Sequence, residues 1–148
     1  MGFFSSLFGG SAHADEIIQR FEQEIQLHRD QLFGITLFSQ GLEVMYADQP
    51  EILEMNRQSF REITERAESA ISGAEALLQR VKVDPAALRH IKRFKFPPIS
   101  GHPMLDEMTQ RAQILVRTYD QMFPNRPRSQ PLDREDMEAL MTAAADQL

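Results

Sequence analysis

The chain contains no cysteine and no tryptophan. The first absence removes disulfides, thiolate metal sites and a cysteine nucleophile together, and it fits a reducing, cytoplasmic setting. No stretch approaches the roughly 18 apolar residues that a membrane-spanning helix needs. Positive charge is scarce: 16 Lys and Arg stand against 22 Asp and Glu, a formal net charge of -6. A generally nucleic-acid-binding surface would be basic, so nucleic acid is disfavoured as a partner. Neither a G-x-x-x-x-G-K-[ST] phosphate loop nor a G-x-S-x-G nucleophile elbow occurs. Ser100 and His102 are neighbours in sequence only, without the orienting acid and oxyanion site a triad needs. Glu-x-x-His, the spacing that aims both ligands of a di-iron bundle inward, is missing as well. Ile25, Ala87 and Ile99 stand three residues before His28, His90 and His102. The expectation is a protein that is not an enzyme and carries no metal or cofactor.

What is present describes helices. A length of 148 residues with 42% apolar and 26% charged side chains fits one domain with a real core. Ile17, Phe21, Ile25, His28, Leu32, Ile35 and Leu42 recur at steps near three and four, one face of a helix over about 15–47. Gly34 and Gly41 each cost about 1 kcal/mol against Ala there, which leaves a strand through Gly34 to Phe38 as the lesser alternative. Ala47-Asp48-Gln49-Pro50-Glu51 is the clearest stop and restart: Asp48 can cap, and Pro50 suits a first turn. The second helix, about 50–82, carries its seam on Ile52, Phe60, Ile63, Ala67, Ala70, Ala74, Leu77 and Val81. Arg61–Glu65 and Glu62–Arg66 are spaced to pair on its solvent side. Matched lengths joined by a tight turn imply an antiparallel hairpin.

Asp84-Pro85 starts a short helix over 85–94, and Pro97-Pro98 forbids its continuation. Two further helices follow over 103–123 and 133–147, the last capped by Asp133. Between them PNRPRSQP, residues 124–131, reads as an extended, stiff linker rather than a partner-binding PxxP motif. The fold class expected is all-α and four-helix-bundle-like: an apolar flexible segment at 1–12, then a single helical domain over 13–148. His28 and Asn56 fall on or near the seams, where such residues serve hydrogen bonding and helix register more often than ligation.

Two segments stand apart from this framework. The chain opens MGFFSSLFGG. If residues 2–9 coil, Phe3, Phe4, Leu7 and Phe8 fall within an arc of about 140° at 100° per residue. They form a small sticky face, followed by a Gly9-Gly10-Ser11 hinge. That face can fold back on the bundle, dock in a partner's groove, or touch a membrane; its lack of Lys and Arg weighs against the last. Met1-Gly2 with Ser6 matches the N-myristoylation pattern, although bulky Phe3 suits it poorly. Ala12-His13-Ala14 imitates a signal-peptidase site, but no cation precedes it and the apolar stretch is short and broken, so cleavage is not expected. The second segment is cationic. Residues 83–103 carry Arg89, Lys92, Arg93 and Lys95 against Asp84 alone, with His90, Phe94 and Phe96 interleaved. Cations at a helix C-terminus are stabilising in themselves; the functional alternative is a site for an anion or a partner.

Together these readings predict a non-enzymatic intracellular interaction protein, an adaptor, assembly factor or regulator. It would use Phe3, Phe4, Leu7 and Phe8, the Arg89–Phe96 segment and the methionine-bearing last helix. A bundle face is also suited to homodimerisation. The alternatives are a peripheral membrane protein and a helical regulator that binds a small ligand, metal or nucleic acid.

Overall fold

The computed structural model describes residues 11–97 and 103–147. The apolar face at Phe3, Phe4, Leu7 and Phe8 therefore lies outside the described residues. Five α-helices and one 3-10 turn account for most of the rest, and no strand occurs among the described residues. Helix α1 spans Ser11–Met45, α2 Pro50–Val83, α3 Leu88–Arg93, α4 Pro103–Met122 and α5 Arg134–Ala145. The 3-10 turn Pro85–Ala87 links α2 to α3. The all-α, bundle-like class read from periodicity is the fold observed, with the two long helices packed together. They contain 35 and 34 residues, about 50 Å each at 1.5 Å per residue.

Local signals set most boundaries. Asp84 caps the 3-10 turn, accepting from the Ala86 amide at 3.2 Å, with Pro85 at the first position. Asp133 caps α5, accepting from the Asp136 amide at 2.7 Å. At α2 the cap position falls one residue later than expected. Pro50 is the first helical residue, and the carbonyl of Gln49, not of Asp48, accepts from the Leu53 amide at 3.2 Å.

The chain forms two compact units, and each long helix contributes to both. The first comprises residues up to Arg29 together with Arg66–Pro97. Its core is Phe21 and Ile25 of α1, Ile71, Ala74 and Val81 of α2, and Leu88 and Ile91 of α3, all buried. The second comprises Asp30–Glu65 and the chain from Pro98 onward. Its core is built from α1, α4 and α5: Leu37 and Phe38, Leu115 and Tyr119, Met137, Leu140 and Ala144. Phe33 meets Tyr119 edge-on at 4.8 Å between centroids. Met137 is buried, and Met141 packs against the same cluster. The methionines of the last helix thus fill core rather than present a docking face, a use that suits their flexible thioethers.

Three expectations are corrected. The strand alternative at Gly34 fails, because α1 is helical through both glycines and both are buried. Residues 124–131 are not extended. They fold into two successive turns, closed by Arg126 N to Phe123 O at 3.2 Å and Gln130 N to Pro127 O at 3.0 Å. Tertiary bonds hold them there. Arg126 donates to Asp136 at 3.0 Å and to the Pro131 carbonyl at 2.8 Å, and Arg128 lies over the Phe33 ring at 4.7 Å. The third concerns surface charge on α2. The ion pairs it makes reach across to α1 within each unit, Arg57 to Glu43 at 2.7 Å and Glu75 to Arg29. The expected pairs along α2, Arg61–Glu65 and Glu62–Arg66, do not form. An exposed i,i+4 pair contributes only a few tenths of a kcal/mol, about 0.2–0.5, so α2 loses little without them.

Candidate functional site, a cationic elbow

The site grows out of the end of α2. Val81 is fully buried, so its neighbours Arg80 and Lys82 project on either side and both are exposed. Val83, the last residue of the helix, is 84% exposed despite its apolar side chain. Asp84 and Pro85 then turn the chain. In α3, Leu88 and Ile91 face the core. At 100° per residue this leaves Arg89, Lys92 and Arg93 within one arc of about 100° on the outer side, and all three are exposed. Lys95 is exposed as well, while Phe94 and Phe96 on either side of it are half-buried.

Those two rings fasten the elbow. Phe94 meets Phe21 edge-on at 5.6 Å, and Phe96 lies 6.2 Å from Phe21 and 5.0 Å from Phe94. The imidazole of His28 stacks on Phe96 at 3.8 Å with planes 13° apart. His28 Nδ1 is 2.8 Å from the Glu24 carbonyl. A carbonyl only accepts, so Nδ1 carries the proton and donates. The ring is thereby held in orientation by one backbone bond and one stack. His28 accordingly serves as the hydrogen-bonded structural residue expected on the seam. Among the described residues no group of three or more His, Cys, Asp or Glu could hold a metal ion.

Arg89, Lys92, Arg93 and Lys95 are brought together on one elbow, and none makes a hydrogen bond or ion pair among the described residues. Arg80 and Lys82 extend the same cationic stretch and are likewise without a partner. Residues 80–97 thus carry six cations against one carboxylate, which is engaged in capping. Sequence reading missed Arg80 and Lys82 because they ended a helix whose other charges are mixed. The available signal was burial of Val81 between them. The opposing charges at the start of α1 are Asp15 and Glu16, and Glu16 is engaged by Arg20 at 3.0 Å.

A second concavity lies in the other unit, an open cleft of about 320 Å³ between the end of α1 and the start of α5. Gln40, Val44, Leu132 and Met137 line it. Its charged rim is already committed: Glu43 pairs with Arg57, Asp133 caps α5 and Arg134 pairs with Glu138 at 3.1 Å. It offers no convergent set of free polar groups of the kind a small-ligand site requires.

No helix among the described residues is long and apolar enough to cross a membrane. No family model matches the chain, and neither a curated protein nor a solved structure matches it at a significant level.

Proposed function

We propose that the chain is a non-enzymatic interaction module, an adaptor, assembly factor or regulator, whose docking surface is the cationic elbow. The observation that carries this reading is the state of the six cations. Elsewhere Arg57, Arg126 and Arg128 bind the protein together through Glu43, Asp136 and Asp30. Arg61 and Arg66 of α2 are also unpaired among the described residues, but there they alternate with glutamates, whereas the elbow sets six cations against one carboxylate. On the elbow the charges are concentrated, exposed and uncommitted, while Phe94, Phe96 and His28 hold the backbone beneath them in place. A concentrated array of free cations on a held backbone attracts an anionic surface at long range. The apolar residues Phe3, Phe4, Leu7 and Phe8 supply a second contact of opposite chemical character.

Affinity purification tests it with three forms: the full chain, a form lacking residues 1–10, and Lys92→Glu with Arg93→Glu. A partner retained by the full chain and lost with the charge reversals supports docking through the elbow. The same partner held equally by the charge-reversed form, with unchanged circular dichroism, would refute it.

A further inference from the structure

Resting on that reading, we infer that the elbow's occupant is a second copy of this chain, met at the acidic corner between α1 and α2. The corner belongs to the second unit and the elbow to the first. Residues 43–56 carry four carboxylates and no Lys or Arg. Glu43 is engaged by Arg57. Asp48, Glu51 and Glu54 are exposed, and none makes a hydrogen bond or ion pair among the described residues. An acidic first turn suits the start of a helix, which accounts for Glu51. It does not account for the apolar side chains around it. Six large apolar side chains are exposed among the described residues, and Met45, Ile52 and Met55 are three of them. Met45 is 59% and Met55 71% exposed. Met and Arg are the residue types that protein interfaces favour; the corner displays the first and the elbow the second.

The two surfaces match in spacing as well as in sign. Glu51 and Glu54 stand three residues apart on α2, and Arg89 and Lys92 three apart on α3. Each pair lies on one helix face with a rise of about 4.5 Å. Arg93 follows Lys92 and extends the cationic arc, and Asp48 precedes Glu51 by three residues. Exposed ion pairs are individually weak and screened by salt. They select the partner and set its register, while the exposed methionines adapt to an uneven surface. Elbow and corner are different patches, so the contact is heterologous. Each copy that docks presents another elbow and another corner, and association continues until a ring closes.

A second copy fits better than nucleic acid. Bases need ring faces to stack on, and the elbow's two rings are engaged, Phe96 by His28 and Phe94 by Phe21. Outside residues 80–97 the chain carries ten cations against twenty-one carboxylates. A long polyanion is repelled by that remainder, whereas a copy of the chain brings acids for the elbow and cations for the corner.

The test is analytical ultracentrifugation of the full chain over a concentration series, at low and at raised salt. Association that grows with concentration and weakens with salt is the expected result. Lys92→Glu with Arg93→Glu, and separately Asp48→Lys with Glu54→Lys, should each lower self-association at least about tenfold. Mixing these two forms should restore it, because the mixture again offers elbows and corners of opposite sign. Glu62→Lys with Glu65→Lys, exposed farther along α2, should leave association unchanged. Circular dichroism of every form checks that the helices persist. A chain that stays monomeric, association indifferent to either reversal, forms that remain apart when mixed, or an equal loss on reversing Glu62 and Glu65 overturns the second-copy assignment. If it falls in any of these ways while a protein or RNA partner is lost with the elbow reversal, the docking module stands. If the elbow reversal changes no binding of any kind, both fall.

Discussion

Gly34 lies directly against the backbone of Ala112, where α1 crosses α4. A Cβ at Gly34 would sit 2.6 Å from the Ala112 carbonyl oxygen and 2.8 Å from its Cβ. Backbone cannot swing aside as a side-chain tip can. Gly34→Ala should therefore destabilise the protein by about 1–3 kcal/mol, the usual range for overpacking. The opposite sign is expected at Gly73, also helical but exposed, where a new Cβ would meet only Phe94 at an ordinary 3.7 Å. Gly73→Ala should stabilise by about 0.5–1 kcal/mol through helix propensity and a less free unfolded chain. Urea midpoints of the two variants, read side by side, check both signs.

Tyr119 is 2% exposed, and its hydroxyl has no hydrogen-bond partner among the described residues. A buried hydroxyl left unsatisfied costs roughly 1–3 kcal/mol. Tyr119→Phe keeps the ring contacts with Phe33 and Phe123 and removes that cost. Stability should rise by about 1 kcal/mol, and a lowered thermal midpoint would contradict the assignment.

Arg128 ties the turns after α4 to two helices. It pairs with Asp30 at 2.6 Å and Asp120 at 3.3 Å while lying over Phe33. Burial pulls its pKa down, but the hydrogen bond to Asp30 and the attraction of Asp120 and Asp30 outweigh that, leaving it above the ordinary arginine value. A raised pKa means the stabilisation is complete at lower pH and is lost only as pH climbs beyond the arginine range. Its own titration therefore removes nothing near neutrality. The side chain is 37% exposed, so water screens the pairs. Arg128→Ala should cost about 1–2 kcal/mol in urea unfolding at neutral pH. Arg128→Lys should recover only part, because a single ammonium cannot serve two carboxylates and a ring face together.

Asn56 links the long helices in the second unit, donating to Ser39 Oγ at 3.1 Å and to the Ser39 carbonyl at 3.4 Å. Asn56→Asp replaces the donor with an oxygen facing that carbonyl. A loss of about 1–3 kcal/mol is expected. Asn56→Ala removes the bond without adding repulsion and should cost less. Equal losses in calorimetry would argue against the donor role.

The positions of the helices were readable because their causes are local. Asp84-Pro85, Asp133 and Pro50 act within one turn, and spacings of three and four register on a single helix face. The cap at α2 was misread by one residue because Asp48 and Gln49 both precede Pro50, and side-chain preference outweighed backbone geometry in the reading. The elbow was half legible. Arg89, Lys92, Arg93 and Lys95 are visible as a cluster in the sequence, whereas Arg80 and Lys82 join them only once Val81 is known to face inward.

The sequence by itself determined the class of structure, the number and approximate limits of the helices, and the presence of one cationic and one apolar segment. Those properties follow from energies that act between residues a few positions apart. Tertiary structure decided that Gly34 is a close crossing and not a helix breaker, that residues 124–131 fold into turns, and that Phe96 stacks on His28. These outcomes depend on contacts between residues tens of positions apart, and periodicity within one helix carries no information about which neighbour will fill its seam.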